Sequence, residues 1–232
     1  MRLALCLSGQ ARSYKAAYPY IKKNLLDRYD VDVFLHSWKR DNLKERELVN
    51  LYEPVAFQFD YDLAKNINDD LQVVNGSHPA NFCTSMFYSI YKANDLKVSY
   101  ELGTEFTYDF VIRSRFDFAL NTQFNFENLD RNTIYVSLDA EGQTMLNDQF
   151  AIGSSANMDT YSSTYLNLRS LYNKGYKLCG HDMLAGTRDL FGLNFQMIDF
   201  NHPFVDGNYN RGRHSIIRDD MHEWVDVKLW GY

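Results

Sequence analysis

The chain has 232 residues, of which 45% are hydrophobic and 23% are charged, as is typical of a globular protein. Its formal net charge of −6 argues against a nucleic-acid binder, because such proteins usually carry a basic surface. No apolar run of about 18 residues predicts a transmembrane segment, and three widely spaced cysteines fit buried thiols of a reducing compartment, so we expect a cytoplasmic protein.

Strands and helices are predicted to alternate along most of the chain. Apolar runs predict strands at 2–8, 31–38, 54–60, 108–116, 133–138, 149–153 and 194–200. Apolar residues at helical spacing, or charged segments between strands, predict helices at 18–29, 41–51, 82–98, 157–173 and 181–190. The alternation predicts one α/β domain over 1–232, with a mainly parallel mixed sheet flanked by helices. In such a sheet, ligands bind beyond the carboxyl ends of the strands.

The first candidate motif is LSGQARS, which follows the first predicted strand. Gly9 allows a sharp turn and a close approach to a ligand, and Arg12 is suited to pair with a phosphate. An ordinary strand–helix turn is the alternative, since neither GxGxxG nor a P-loop is present. At the end of the second strand, FLHSW offers His36 and Trp38 to cradle a base, although a structural histidine and a core tryptophan are favoured.

The second candidate motif is YDFVIRSRFDFAL, residues 108–120. Alternation along a strand predicts that Arg113, Arg115 and Asp117 line one face at its carboxyl end. Since buried charges need partners, a covered central strand that ends in these residues indicates a ligand cleft. The alternative is an ion-pair ladder on an exposed edge strand.

Further candidates follow in the second half of the chain. In LNDQFAIGSS, Asp148 precedes a predicted strand, and in CGHDML, His181 and Asp182 begin a predicted helix. An acid at a helix start is also favoured by the helix dipole alone. In the aperiodic tail, His202 and His214 lie in stretches suited to fold over a phosphorylated ligand.

Taken together, LCLSGQAR, YDFVIRSRFD, NDQFAIGSS and HDML resemble the nucleotide-sugar glycosyltransferases of the GT-A fold. The likeness is to small enzymes of large algal viruses, phages and bacterial polysaccharide clusters, which would place a viral member in the host cytoplasm. It implies a single-domain, Rossmann-like GT-A fold. Residues 1–117 would form the nucleotide-binding half, and 118–232 the acceptor-binding half and the C-terminal tail.

The resemblance also implies roles for individual residues. Ser8, Gly9 and Arg12 match the nucleotide-binding loop, and RFD matches the metal-binding DxD motif, with Arg115 in place of the first aspartate. The resemblance therefore implies Mn²⁺ or Mg²⁺ on Asp117, with a histidine from the tail as a further ligand. The remaining roles that it implies are substrate binding and catalysis: Arg113, Arg115 and His181 as substrate-binding residues, His202 and His214 as candidate metal ligands, and Asp182, then Asp148, as the catalytic acid–base candidates.

The implied activity is transfer of a hexose from a nucleoside-diphosphate sugar to a hydroxyl of a glycan or glycoprotein. A nucleotidyltransferase is one alternative, but LSGQAR lacks the basic, glycine-rich loop usual there. A non-catalytic nucleotide- or glycan-binding module is another, which the missing first aspartate of the DxD motif favours.

Overall fold

A computed structural model describes residues 1–39, 42–61, 80–120, 122–137 and 146–198, and the backbone of three short strands beyond them. The strands are β1 (Arg2–Gly9), β2 (Asp30–Trp38), β3 (Ala56–Asp60), β4 (Phe110–Ser114), β5 (Gln123–Phe124), β6 (Thr133–Ser137), β7 (Phe150–Gly153), β8 (Asn194–Ile198), β9 (Val205–Asp206), β10 (Ile216–Arg218) and β11 (Met221–Val225). The helices are α1 (Tyr14–Ile21), α2 (Asn42–Tyr52), α3 (Ala80–Thr104), α4 (Ser155–Ser162), α5 (Thr164–Asn173) and α6 (Gly180–Phe191).

Seven strands form one sheet in the order β3-β2-β1-β4-β7-β6-β8. Every neighbouring pair is parallel except the two pairs that β7 makes, with β4 and with β6. Helices cover both faces, so the prediction of an α/β domain with a mainly parallel mixed sheet is confirmed. Two short antiparallel pairs, β5 with β9 and β10 with β11, lie outside this sheet.

The two faces of the sheet bury separate apolar cores. Leu5 and Ile112 belong to the core beneath α1 and α2. Cys6 and Val111, their neighbours along the strands, belong to the core beneath α3 to α6. Because the strands are covered on both sides, they are apolar on both faces, which is why they appear in the sequence as continuous apolar runs.

Element boundaries depart from the predictions at several places. The predicted helix 82–98 is longer and ends at Thr104. The predicted helix 18–29 begins earlier, at Tyr14, contains Pro19, and continues as a π-helical turn over Lys22–Leu26. The predicted helix 157–173 is two helices separated at Ser163. The predicted strand 108–116 ends at Ser114, the last residue paired with β1 and β7. The end of β4 at Ser114 changes how the charged residues after it are arranged in the candidate site.

The switch point of the sheet lies between β1 and β4. From β1 the chain moves outward through β2 and β3, and then returns to place β4 on the other side of β1. Because β7 is antiparallel to β4 and Phe150 pairs with Ser114, β7 begins where β4 ends. The loop after β1, the turn after β4 and the loop before β7 therefore meet at one edge, which is where ligands of such sheets bind.

Within the part of the chain that the structure describes, no helix combines the length and the apolar character that a membrane span requires.

Candidate functional site

A cleft of about 200 Å³ opens at the carboxyl ends of β1, β2 and β3. It is bounded by the loop after β1, the ends of β2 and β3, and the first turns of α2. Its walls combine aromatic, cationic and acidic side chains, contributed by Gln10, Ala11, Arg12, Ser37, Trp38, Lys44, Glu45, Leu48 and Phe59. Apolar walls with a few charged groups are typical of small-molecule sites.

Gly9 makes the turn that leads from β1 into this cleft. Its φ of 109° lies in the region that only glycine adopts without strain. Its N–H donates to Ser89 Oγ at 2.6 Å, and its carbonyl accepts from Ser37 Oγ at 2.8 Å. Both backbone groups are thus satisfied inside the protein, so Gly9 shapes the loop.

The two predicted neighbours of Gly9 lie in different surroundings. Ser8 is 1% exposed, and its Oγ has no hydrogen-bond partner among the described residues. Arg12 is exposed in the cleft wall, where its Nε donates to Gln10 Oε1 at 2.7 Å. The prediction that these residues bind a nucleotide stays a prediction, and the cleft gives Arg12 access to a ligand.

A series of hydrogen-bonded polar side chains supports the Gly9 turn from inside the protein. Ser89 Oγ lies 2.7 Å from His36 Nδ1, and His36 Nε2 lies 3.3 Å from Asp60 Oδ2. With hydrogen on Nε2, His36 donates to Asp60 and accepts from Ser89, whose Oγ also accepts from Gly9. The ring of Tyr88 stacks on Trp38 with centroids 5.6 Å apart, and its hydroxyl donates to Asp60 at 2.7 Å. His36 is therefore a structural residue, as favoured from the sequence. Trp38 is buried, at 7% exposure, as was also favoured, and it borders the cleft.

His36 should make the stability of the protein depend on pH. Burial lowers the pKa of His36 to about 4, against the opposing effect of Asp60. Since an unfolded histidine takes up its proton near pH 6.5, the unfolded state binds more protons than the folded state between these values. Stability should thus fall as the pH drops through this window, by up to about 3 kcal/mol. Urea unfolding at about pH 7 and about pH 4.5 measures the loss.

The variant His36→Gln isolates this contribution, because glutamine keeps hydrogen-bonding capacity but does not titrate. We expect it to be less stable than the wild type at neutral pH and to lose less stability on acidification. An identical pH dependence in the two proteins would show that His36 is not the responsible group.

Beside the cleft, the residues at the end of β4 do not share one strand face. Arg113 is the last of them on the strand, and Arg115 and Asp117 follow in a turn closed by the Phe118 N–H donating to the Arg115 carbonyl. The prediction of three charges in line was wrong, because β4 ends at Ser114. The exposed edge strand of the alternative is also wrong, since β4 lies between β1 and β7, but Arg115 and Asp117 do form an ion pair.

Arg115 and Asp117 form a bidentate ion pair. Arg115 Nε donates to Asp117 Oδ1 at 2.7 Å, and a terminal guanidinium nitrogen donates to Oδ2 at 2.6 Å. The Asp117 side chain is 1% exposed and that of Arg115 is 29% exposed. Burial acts to lower the pKa of Arg115, but the charge and hydrogen bonds of Asp117 outweigh it and raise that pKa. Asp117 thus holds the guanidinium of Arg115, while 29% of the Arg115 side chain stays exposed.

Arg113 is almost completely buried, at 2% exposure. One terminal nitrogen donates to the Asp148 carbonyl, while its Nε has no partner among the described residues. Burial lowers the pKa of Arg113, although an arginine stays charged at neutral pH. Its contact links the end of β4 to the loop before β7.

The loop before β7 also contacts the start of α6. The Asp148 carboxylate packs so closely on Gly180 that a Cβ at that position would collide with it. His181 Nδ1 lies 2.7 Å from the Leu146 carbonyl. Asp182 is turned back towards the preceding loop, where its Oδ2 accepts from the Lys177 N–H at 3.2 Å. Of the two acids predicted to be catalytic, Asp148 is therefore the one that lies next to Arg113.

The predicted metal site is not complete among the residues that the structure describes. Both oxygens of Asp117 accept from Arg115, and no group of three or more His, Cys, Asp or Glu side chains in the described ranges is arranged to hold a metal ion. His202 and His214 lie outside the described residues. The described donor set therefore does not fit a divalent cation.

Several residues in the cleft wall, and Ser89 behind it, were not found from the sequence. Phe59 ends a predicted strand, so the rule that ligands bind at carboxyl ends points to its position. Lys44 and Glu45 lie in the first turns of α2, and Ser89 lies within α3. No local pattern marks these three, because only the packing of the helices on the sheet brings Lys44 and Glu45 to the cleft wall and Ser89 to Gly9.

Comparison with known proteins places the chain in a family. A family model with the description "Domain of unknown function (DUF7796)" matches residues 1–184. No curated protein matches. Two crystal structures of the glycosyltransferase GlyE of Streptococcus pneumoniae TIGR4 are similar, one of them the apo form, both at 13% identity and with TM-scores of 0.45 and 0.46. The alignments cover 86% and 84% of this chain, but only 46% and 44% of those chains.

Proposed function

The chain belongs to the family described as a domain of unknown function, DUF7796, and from the site in this member we propose a glycosyltransferase that uses a nucleoside-diphosphate sugar. One observation carries the proposal: the cleft at the ends of β1 to β3, with Arg12 in its wall, opens beside the switch point, where the partly exposed Arg115 follows β4. A nucleoside needs apolar walls, and a diphosphate needs cations. The two environments lie side by side at the edge of the sheet.

In this proposal the nucleoside occupies the cleft between Trp38 and Phe59, and the diphosphate extends towards the switch point. Arg12 approaches it from the loop after β1, and Arg115 from the turn after β4. Guanidinium groups suit phosphate because their planar donors match its oxygens. Arg113 is too deeply buried to reach an outer ligand, and its contact with the Asp148 carbonyl gives it a positioning role.

The proposed reaction breaks the bond between the anomeric carbon and the diphosphate oxygen. An acceptor hydroxyl of a glycan or glycoprotein forms the new bond at that carbon, and its proton passes to a carboxylate within hydrogen-bond reach. Asp148, in the loop before β7 and packed on Gly180, and Asp182, in the first turn of α6, are the candidate bases. Negative charge that builds up on the leaving diphosphate is stabilised by Arg12 and Arg115.

Mn²⁺ or Mg²⁺ stays a prediction from the resemblance. A divalent cation bound at Asp117 would neutralise part of the diphosphate charge, which is also the role proposed for Arg115. Because the described donor set does not fit the ion, no step of the proposed reaction depends on it. Activity in excess chelator decides whether a metal is needed.

The test is incubation with a panel of nucleoside-diphosphate sugars, scored by the release of nucleoside diphosphate, together with calorimetry of nucleoside-diphosphate binding. Arg12→Ala should weaken that binding by about tenfold or more, because a charge-assisted contact contributes about 1.5–3 kcal/mol. Arg28→Ala is the matched control, since Arg28 is also exposed but lies outside the cleft wall. Equal affinities of the two variants would remove Arg12 from the site.

The same measurements separate the two alternatives. A nucleotidyltransferase would consume a nucleoside triphosphate and release pyrophosphate. A non-catalytic module would bind a nucleotide or glycan with no release of nucleoside diphosphate from any sugar donor. The replacement of the first DxD aspartate by Arg115 is the observation that favours this second alternative.

A further inference from the structure

The loop after β1 has a fixed backbone. Gly9 at its start is held by Ser89 from α3. Ser13 at its end is 7% exposed and has a φ of 44°, which residues other than glycine rarely adopt. Between them, the Arg12 N–H donates to the Gln10 carbonyl at 2.8 Å. The backbone therefore fixes where the Arg12 side chain begins, but not where its guanidinium lies, because several rotatable bonds separate the two.

The side chain of Gln10 holds the guanidinium of Arg12. Its Oε1 accepts from Arg12 Nε at 2.7 Å and from one terminal nitrogen of the same group. Both residues lie in the cleft wall. A guanidinium has five N–H donors, and this contact uses donors on the Nε edge. It does not use the outer edge, where two parallel N–H groups match two oxygens of a phosphate.

Gln10 holds the guanidinium through a neutral group. A carboxylate at this place would also accept from Arg12, but its negative charge would offset that of the guanidinium. Arg115 is held in that way by Asp117. The amide of Gln10 instead orients a cation and adds no charge that would repel a phosphate.

We infer that Gln10 is a positioning residue, which presents Arg12 to the diphosphate of the donor nucleotide. The inference rests on the proposed function, since that function places Arg12 at the diphosphate. Ordering a long side chain during binding costs affinity, and a contact that orders the side chain beforehand reduces this cost. Gln10 makes such a contact within the protein itself.

Calorimetry with UDP, GDP, CDP, ADP and dTDP, using the tightest binder of the wild type as the probe, tests the inference. Gln10→Ala removes the contact and should weaken binding by about threefold to tenfold. Gln10→Glu still accepts from Arg12 but adds a negative charge beside the diphosphate, so it should weaken binding by about tenfold or more. Because Gln10 is exposed, both variants should keep the unfolding temperature of the wild type.

Asn132→Asp is the matched control for the added charge. Asn132 is also exposed, and it precedes β6, which runs parallel to β4, so it lies at the opposite edge of the sheet from the cleft. This variant should bind the probe as tightly as the wild type does.

The Arg12→Ala background shows whether Gln10 acts through Arg12. If it does, Gln10→Ala should have no further effect there, whereas a residue that contacts the diphosphate directly would still contribute affinity. In steady state, Gln10→Ala should raise the KM for the sugar donor and leave the KM for the acceptor unchanged, a split that a general loss of structure does not produce.

Equal or tighter binding by Gln10→Ala would overturn the inference and leave the proposed function in place. So would a loss of affinity that is the same with and without Arg12. Binding by Gln10→Glu as tight as that of the wild type would contradict the importance of a neutral partner. If none of the five nucleotides bound the wild type, the proposed function would be wrong, and the inference with it.

Discussion

Asp148→Asn is expected to lower the turnover of sugar transfer by about 10²–10⁴-fold, the usual size of a general-base contribution. The asparagine amide cannot accept the proton of the attacking hydroxyl, whereas it fills nearly the same space. Nucleotide affinity should change little, because the cleft lies on the other side of the switch point. Steady-state turnover with a fixed donor and a varied acceptor measures the effect.

The positions of the two candidate acids give Asp148 the stronger case. From the sequence, Asp182 is placed first because it begins a helix, and Asp148 second. In the structure the Asp182 carboxylate accepts from the Lys177 N–H, which holds it in a local helix-start contact. Asp148 instead lies beside Arg113 at the end of the central strand. If Asp182→Asn lost its turnover while Asp148→Asn kept near-normal turnover, Asp182 would again be the first candidate for the base.

Gly180→Ala provides a second variant that keeps the carboxylate. A methyl group at position 180 would collide with the Asp148 carboxylate, so the side chain has to rotate away from its position. Misplacement of a catalytic group by about 1 Å can cost about 10²-fold in rate. Asp189→Asn at the exposed far end of α6 is the control. Unchanged turnover in Gly180→Ala would show that this position of Asp148 does not matter for the chemistry.

Much of the fold follows from local patterns in the sequence. All seven strands of the large sheet were predicted. The central strands are apolar runs because both of their faces are covered, and such a run needs no knowledge of its neighbours, whereas β3 and β8 lie at the edges and are only partly buried. The boundaries of the strands were harder to predict from the sequence. The end of β4 at Ser114 depends on where β1 and β7 stop pairing with it, and that is a property of three strands together.

The site was predictable only where it follows strand ends. Gly9, Arg113 and Asp148 reach one edge because their strands end or begin there. Glu45 and Ser89 come from helices, and their positions depend on how α2 and α3 pack on the sheet. The pairing of Asp117 with Arg115 was foreseen only in the ion-pair alternative. The favoured prediction, based on alternation along an assumed strand, kept Arg115 beside Asp117 as a second ligand-facing group, while the turn lets the two residues pair with each other.

The ion pair of Arg115 and Asp117 leads to a second prediction, which concerns the stability of the folded protein. Arg115→Ala should lower the free energy of unfolding by about 3 kcal/mol or more, because it leaves the Asp117 carboxylate, which is 1% exposed, without its counter-ion. Asp117→Ala should cost less, since the partly exposed Arg115 can turn to solvent. The double variant should recover part of the loss of Arg115→Ala, because no buried charge then remains unpaired. Urea unfolding of the four proteins gives all three differences.

The same variants also decide between an ion pair and a metal site at this position. Removal of Arg115 frees both carboxylate oxygens of Asp117. If Asp117 can hold a divalent cation, Mn²⁺ should then raise the unfolding temperature of Arg115→Ala, because an ion that binds only the folded state stabilises it. The double variant, which lacks the carboxylate, should show no such rise. This readout does not depend on activity. An unchanged unfolding temperature with Mn²⁺ would mean that Asp117 binds no divalent cation and acts only as the counter-ion of Arg115. Arg115→Ala as stable as the wild type would instead show that Asp117 finds other partners, and that the ion pair contributes little to the fold.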